Sequence, residues 1–408
     1  MLFWGASFPM RAILDAIPDD GYGSREGDAY REYLPSPTRR KRAAIAAPSG
    51  AALTGVCGGL IRDMLQRGHR VLAFAPALSS KDLRQLAQMG AEAYSLPAQL
   101  AFLDKYRRMR ELSTILADAY PDVVLVQSAR NGATSVAAAK MARIPKVVTI
   151  VPELGPAFME GAGASAWGER QAMKAMYRAI FAWSDSVIFH SPHDRDYVRD
   201  RNLLSKSKLH YIVGGWGEDL RRTVQRELPP LDRGLLFLMA APLDRLQGVI
   251  EYCEAAKAVR QKSRRARFFL ASTPGSMVSP LSAADLKPYR EFIQYIGPVD
   301  DAVSAIARCH VIVAPSYGNG APRSVYQALA TGRPLIATDT RSCRDFVRQG
   351  LNGYRVAVRD AGSIARAATQ ILQRPDLLPS MAQESRRLAL RFCDVNSVNT
   401  LILETLGL

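Results

Sequence analysis

Between Ala314 and Asp339 the chain reads APSYGNGAPRSVYQALATGRPLIATD. A short apolar run ends in a turn with two glycines, Gly318 and Gly320, and Pro322 comes next. Proline suits a first helical position, because its missing N–H would have had no partner there. The helical stretch from Pro322 to Ala330 stops at Gly332, a residue free to adopt the left-handed conformation that ends helices. A strand feeding a glycine turn and a helix N-terminus makes an anion site, since unpaired N–H groups and the helix dipole face the same point. Asn319 stands just before the helix and Gln327 within it, so both can reach one bound ligand. Each amide keeps an acceptor oxygen and adds donors, but carries no charge.

A site of this kind needs a scaffold to hold it, and the flanking sequence supplies the pattern of one. Runs rich in β-branched and apolar residues, RAAIAAP, RVLAFAP, DVVLVQS, KVVTIV and SVIFHS, alternate with helical stretches such as Ala52 to Arg67 and Gly132 to Ala142. The rhythm breaks near LHYIVGGWGEDL, and RRTVQRELPPLDRG reads as an exposed linker with two consecutive prolines. It restarts with GLLFLMAAP, ARFFLAST, FIQYIGP, HVIVAPS, RPLIATD and NGYRVAV, separated by helical stretches including Gln247 to Val259. From Pro375 to Leu408 the pattern is helical throughout. Strands alternating with helices predict βαβ units and parallel sheets covered on both faces. The expected class is α/β, with two Rossmann-like doubly wound domains facing each other across a cleft. The expected boundaries are a tail at 1–40, a first domain at 41–212, a linker at 213–232, a second domain at 233–392 and a helix at 393–408 that returns to the first domain. Ligands of such folds lie outside the carboxyl ends of the strands, which here means in the cleft.

The 408 residues are 48% hydrophobic, enough for two ordinary cores, and the net charge of +16 points to anionic company. Lys105, Arg107, Arg108 and Arg110 form one basic cluster, and Lys262, Arg264, Arg265 and Arg267 another. Neither alternates with a row of aromatics, so nucleic acid is not an expected partner, whereas an anionic membrane surface and diphosphate-bearing ligands are. The five cysteines are scattered without C-x-x-C spacing and read as reduced, packed thiols; the Cys309–His310 pair reads as structural. No run has the length of a membrane span. The apolar start, MLFWGASFPMRAILDAIP, lacks a basic leader and cleavage site and reads as a disordered tail or an interfacial anchor. The expected location is cytoplasmic, with reversible attachment to the membrane face.

PSYGNGAPRSVYQALATGRPLIATD followed by CRDFVRQGLNGYRV resembles the donor-site region of the family-4 retaining glycosyltransferases of bacterial polysaccharide assembly, enzymes of the two-domain GT-B architecture. The resemblance extends over nearly the whole chain. LIRDMLQRGHRVLAFAP is similar to the family's first helix and second strand, and DSVIFHSPHDRDYV and GGWGEDL to the segments that close its first domain. QGVIEYCEAAKAVR is similar to the first helix of its second domain, and YIGPVDD to the turn near the nucleotide base.

The resemblance implies a nucleotide-sugar donor, a glycan or lipid-linked acceptor, and chemistry that needs no metal or other cofactor. It assigns donor binding to Gln327, Gly320, Ala321, Ser324, Arg245, Gln247, Gly297 and Pro298, and catalysis to Asn319, Glu153 and Arg323. It assigns the acceptor side to Ser49, Gly50, Gln127, Gly155 and His190.

The chain departs from the family at several of these positions. The two glutamates that orient the donor are matched by Asn319 and Gln327. The arginine and lysine that neutralise the leaving diphosphate fall on Pro242 and Gln247, with Arg245 and Arg323 as substitutes. The histidines after the fourth strand correspond to Leu125 and Gln127, and the pair that precedes the acceptor side to Pro152 and Glu153. Glu153 is either an acceptor-side base or a solvated loop carboxylate. His190 and His193 read as structural or catalytic, and His69 as structural. Two functions are open at this level: a retaining glycosyltransferase, or a silent homologue that binds or scaffolds in the same pathway.

Overall fold

The computed structural model describes residues 40–408 except 98–101, 128–131, 156–157, 159–166, 222, 276, 278, 300–301 and 319. The expected tail, including its apolar start, therefore lies outside the described residues apart from Arg40, and so does Asn319.

The first sheet contains β1 (Arg42–Ala46), β2 (Arg70–Pro76), β3 (Glu92–Leu96), β4 (Val123–Gln127), β5 (Val147–Val151), β6 (Ser186–Phe189) and β7 (Leu209–Ile212). They lie in the order β3-β2-β1-β4-β5-β6-β7, all parallel. The second sheet has the order β10-β9-β8-β11-β12-β13, built from β8 (Leu235–Ala241), β9 (Ala266–Ser272), β10 (Ile293–Pro298), β11 (Val311–Ala314), β12 (Leu335–Thr338) and β13 (Gly353–Val356), again all parallel. Helices cover both faces of each sheet, and the central strands β1, β4, β5, β6, β11 and β12 are buried nearly end to end. That burial is why they read as unbroken apolar runs.

β3 and β7 are absent from the sequence reading. Both are edge strands whose burial is partial, so EAYSL and LHYI carry polar residues where a central strand would not. The expected helix from Ala52 to Arg67 is divided into a wide π-type turn, Ala52–Val56, and a helix, Gly58–Gln66. The C-terminal stretch is divided as well, into helices Leu378–Phe392 and Val395–Leu406. Asp394 caps the second of these, accepting from the Ser397 N–H. That helix places Val398, Ile402, Leu403 and Leu406 in the same core as the inner faces of β1 and β2.

The chain passes between the two sheets at 213–232 and again near Cys393. At the crossing, a side chain on Gly214 would run into the carbonyl of Phe392, its Cβ landing 1.9 Å from that oxygen. Only glycine allows the two backbones to approach so closely. The exposed proline-containing linker is pinned through its carbonyls. Fully buried Arg333 donates to the carbonyls of Arg226, Glu227 and Ala307, and Arg386 to that of Thr223. Burial lowers the Arg333 pKa to about 10, which leaves the guanidinium charged at neutral pH.

Candidate active site

β11 delivers the chain to the glycine turn, and three hydrogen bonds fix the backbone there. Tyr317 N–H donates to the Leu246 carbonyl at 2.9 Å, Gly318 N–H to Ser316 Oγ at 3.3 Å, and Thr338 Oγ1 to the Ser316 carbonyl at 2.5 Å. Gly248, at φ 75°, backs onto the Pro315 carbonyl so closely that a Cβ would lie 2.2 Å from its oxygen. The helix runs Arg323–Thr331 and ends at Gly332, in the left-handed conformation at φ 68°. Pro322 is its N-cap, so Arg323 takes the first helical position expected for the proline. Ser324 and Gln327 are buried, and the Gln327 amide has no hydrogen-bond partner among the described residues. Ala321 is half-buried beside them.

Across the cleft, the loop after β5 brings Glu153 onto this turn. Gly320 N–H donates to Glu153 Oε2 at 3.0 Å, and the same oxygen would lie 3.8 Å from a Cβ on Gly318. The loop is fixed from behind by buried Tyr177, whose hydroxyl donates to the carbonyls of Glu153 and Leu154. The Glu153 side chain is open to solvent, yet protein flanks it on both sides of the cleft. Desolvation there raises its carboxyl above the ordinary range, and the Gly320 hydrogen bond opposes that rise.

Both substitute cations are engaged by carboxylates. Arg245 opens the short 3₁₀ turn Arg245–Gln247 and pairs with Asp285 at 2.5 Å. Arg323 Nε lies 3.1 Å from Glu218 Oε1, with the arginine side chain 71% exposed and the glutamate 8%. Gln247 is half-buried next to Gly248. Gly297, at φ 88°, and Pro298 end β10, where its register against β9 shifts after Tyr295, and no atom lies within 4 Å of a Cβ placed on Gly297.

On the facing domain, Ser49 Oγ accepts from the Ala52 N–H at 3.2 Å, and Gly50 leaves room for the Asp82 carboxylate. Gln127 ends β4, its Oε1 accepting from Cys57 Sγ at 3.8 Å. Gly155 turns at φ 88° with open space beside it.

His190 needs a correction as an acceptor-binding group. It is buried, meets Trp216 edge-on with ring centroids 5.0 Å apart, and burial pushes its pKa down to about 3. It is a neutral packing residue, and its Nε2 has no partner among the described residues. His310 is structural: Nδ1 accepts from the Leu236 N–H and Nε2 donates to the Pro229 carbonyl. His69 is a buried ring beside β2, its Nδ1 accepting from the Lys41 N–H. All five cysteines are buried and free, and burial raises their thiols.

Sequence reasoning missed a second meeting of the two domains. Buried Arg341 Nε lies 3.1 Å from Asp194 Oδ1, its Nη2 donates to the Phe158 carbonyl, and its guanidinium stacks over the Tyr197 ring. Beside it, Ser191 Oγ donates to Asp345 Oδ2 at 3.0 Å, and His193 Nε2 lies 3.5 Å from Asp345 Oδ1. Burial raises Asp194 to about 6, against the pull of Arg341, and Asp345 to about 7, against the Ser191 hydrogen bond. Glu218 was also missed. A buried-pair signal was present only in retrospect, as an aspartate in the first turn of helix Pro192–Asp200 and an arginine at a helix start.

The two halves of this architecture match two family models. Residues 54–215 match the glycosyl transferase 4-like domain, and residues 234–374 match glycosyl transferases group 1. The chain belongs to family 4 of the glycosyltransferases, with the GT-B fold, and glycosyl transfer is its chemistry. It is 22% identical over 366 residues to the N,N'-diacetylbacillosaminyl-diphospho-undecaprenol alpha-1,3-N-acetylgalactosaminyltransferase of Campylobacter jejuni, spanning 86% of this chain and 94% of that one. Its fold is similar to that of Anabaena HepE in complex with UDP, with a TM-score of 0.70, 14% identity and coverage of 90% and 99% of the two chains. A glycosyltransferase from Rickettsia africae superposes with a TM-score of 0.71 at 14% identity, over 90% and 98%.

Proposed function

We propose that this glycosyltransferase moves a sugar from a nucleoside diphosphate donor to a lipid-linked glycan acceptor, with retention at the anomeric carbon, in cell-surface polysaccharide synthesis. The observation that carries the proposal is the glycine turn at the N-terminus of helix Arg323–Thr331, faced across the cleft by Glu153. In this reading the diphosphate lies at the turn, where N–H groups and the helix dipole favour negative charge. Arg323 and Arg245 exchange their carboxylate partners for the phosphates as leaving-group charge grows, when preorganised cations contribute most. The named acceptor of the Campylobacter relative, a diphospho-undecaprenol, supports a lipid carrier. Among the described residues no helix is long and apolar enough to cross a membrane. Exposed Tyr106, with Arg107 and Arg110 on helix Phe102–Ala119, offers a face for an anionic bilayer instead.

The test is a thermal-shift screen of the purified chain against UDP, GDP and their sugars, followed by transfer to a diphospho-polyprenol acceptor in anionic vesicles. Stabilisation by one donor and a product keeping the donor's anomeric configuration by NMR are expected. An inverted product would remove the retaining mechanism. Absence of both binding and hydrolysis across the panel would leave the silent-homologue alternative.

A further inference from the structure

Three loops, from the carboxyl ends of β8, β11 and β13, converge on Tyr317, the residue before Gly318 of the glycine turn. From the first loop, the Leu246 carbonyl accepts the Tyr317 N–H at 2.9 Å. From the third, the Arg359 guanidinium lies over the Tyr317 ring, 5.1 Å from its centroid. The ring is buried, and a hydrogen bond from its hydroxyl to Glu251, in the first turn of helix Val249–Lys262, fixes its orientation. This is the end of the sheet at which doubly wound folds gather their ligands.

Two features set Arg359 apart from the other cations here. Arg245 and Arg323 each face a carboxylate, whereas Arg359 is exposed and has neither an ion pair nor a hydrogen bond among the described residues. Its backbone is also left-handed, at φ 58°, a conformation that glycine adopts freely and arginine does not. Asp360 follows as the N-cap of helix Ala361–Gln373, accepting from the Ser363 N–H. That helix start accounts for the left-handed turn but not for a cation in it. Pro242 and Gln247, where the resemblance places the family's diphosphate cations, are both neutral.

We infer, resting on the reading of the glycine turn as the donor site, that Arg359 supplies a cation to the diphosphate of the donor from this third loop. A guanidinium seated on a ring face is positioned without being neutralised, so it meets phosphate oxygens without first giving up a carboxylate. Arg245 and Arg323 must give theirs up. Arg359 therefore sets ground-state affinity for the nucleoside diphosphate, and the other two act as leaving-group charge grows.

The experiment compares Arg359→Gln, Arg359→Lys and Arg359→Gly with the wild-type chain, by calorimetric titration with UDP and GDP and by donor kinetics. Arg359→Gln should weaken the nucleotide that binds by roughly 5- to 20-fold, the lower part of the range for a charged hydrogen bond because the side chain is exposed. KM for the nucleotide sugar should rise by a similar factor with kcat within about twofold, the mark of a contact made equally before and in the transition state. The loss should shrink at high ionic strength. Arg359→Lys keeps the charge and should bind at least about threefold tighter than Arg359→Gln. Arg359→Gly relaxes the backbone, so its unfolding temperature should fall by less than about 4 °C while its affinity falls as far as that of Arg359→Gln. An arginine that only packed on Tyr317 would leave affinity unchanged when removed. Affinity within about twofold of wild type in Arg359→Gln, a salt-insensitive loss, equal losses for lysine and glutamine, or a fall in kcat at constant KM each overturn the inference and leave the donor-site reading standing. A larger fall in the unfolding temperature of Arg359→Gly does so too. Wild-type protein that binds neither UDP, GDP nor any of their sugars overturns both.

Discussion

At Gly320 the two domains meet through one N–H and the solvent-open carboxylate of Glu153, whereas elsewhere along the cleft Arg341 is buried between Asp194, the Phe158 carbonyl and the face of Tyr197. The first contact is a single hydrogen bond that water or a ligand hydroxyl can replace at little cost. The second is a desolvated ion pair, which is costly to break because either partner left alone is a buried charge. The difference separates holding the domains together from holding a substrate. The buried pair lies outside the glycine turn, so the contact at the turn can be exchanged without breaking it.

The largest expected effect is at the buried pair. Arg341→Ala leaves Asp194 buried and unpaired and should cost about 3–5 kcal/mol of stability by urea denaturation. Arg341→Met with Asp194→Leu fills the same space without charge and should recover most of that loss. A double variant as unstable as the single one would mean that Arg341 acts through the Phe158 carbonyl and Tyr197, and that the ion pair is secondary.

A smaller effect is expected from pH. Asp345 is raised to about 7 by burial, faced by Ser191, His193, Asp194, Asp196 and the cations Arg341 and Arg344. A carboxyl raised on folding contributes stability that is fully present below its unfolded pKa near 3.8 and lost as pH rises through its folded value. Thermal stability should therefore fall between about pH 4 and pH 7, and Asp194, at about 6, contributes to the same slope. Each unit of pKa difference is worth at most about 1.4 kcal/mol. Asp345→Asn should flatten the slope, and an unchanged slope would show that ionised Asp345 is accommodated without cost.

Burial also decides what could be read in advance. The central strands announced themselves because burial on both faces leaves an apolar run, while the edge strands Glu92–Leu96 and Leu209–Ile212 did not. The glycine turn and its helix were legible because a strand end, two glycines, a proline and a terminal glycine lie within one short segment. Glu153 and Gly320 are 167 residues apart, and Arg341 and Asp194 are 147 apart. Their pairing is set by how two finished domains face each other, and no local period carries it. Arg245 and Arg323, offered by the sequence as substitutes at the diphosphate site, have carboxylate partners, Asp285 and Glu218, that come from other segments.

The smallest expected effect on stability is at Gly320, and it isolates the weak contact from the strong one. A Cβ there would lie 3.0 Å from Glu153 Oε2 and 3.6 Å from Glu153 Cβ, tight against a side chain that can move by a few tenths of an ångström. Its φ is not in the left-handed range, so alanine brings no backbone strain. Gly320→Ala should therefore leave the denaturation midpoint within about 0.5 kcal/mol of wild type, the range of substitutions that disturb no packed feature. It should nevertheless push the Glu153 carboxylate off the turn and lower nucleotide-sugar hydrolysis. Loss of stability comparable with Arg341→Ala would mean that the Glu153 contact shares the work of the buried pair, and the division between holding and recognising would have to be abandoned.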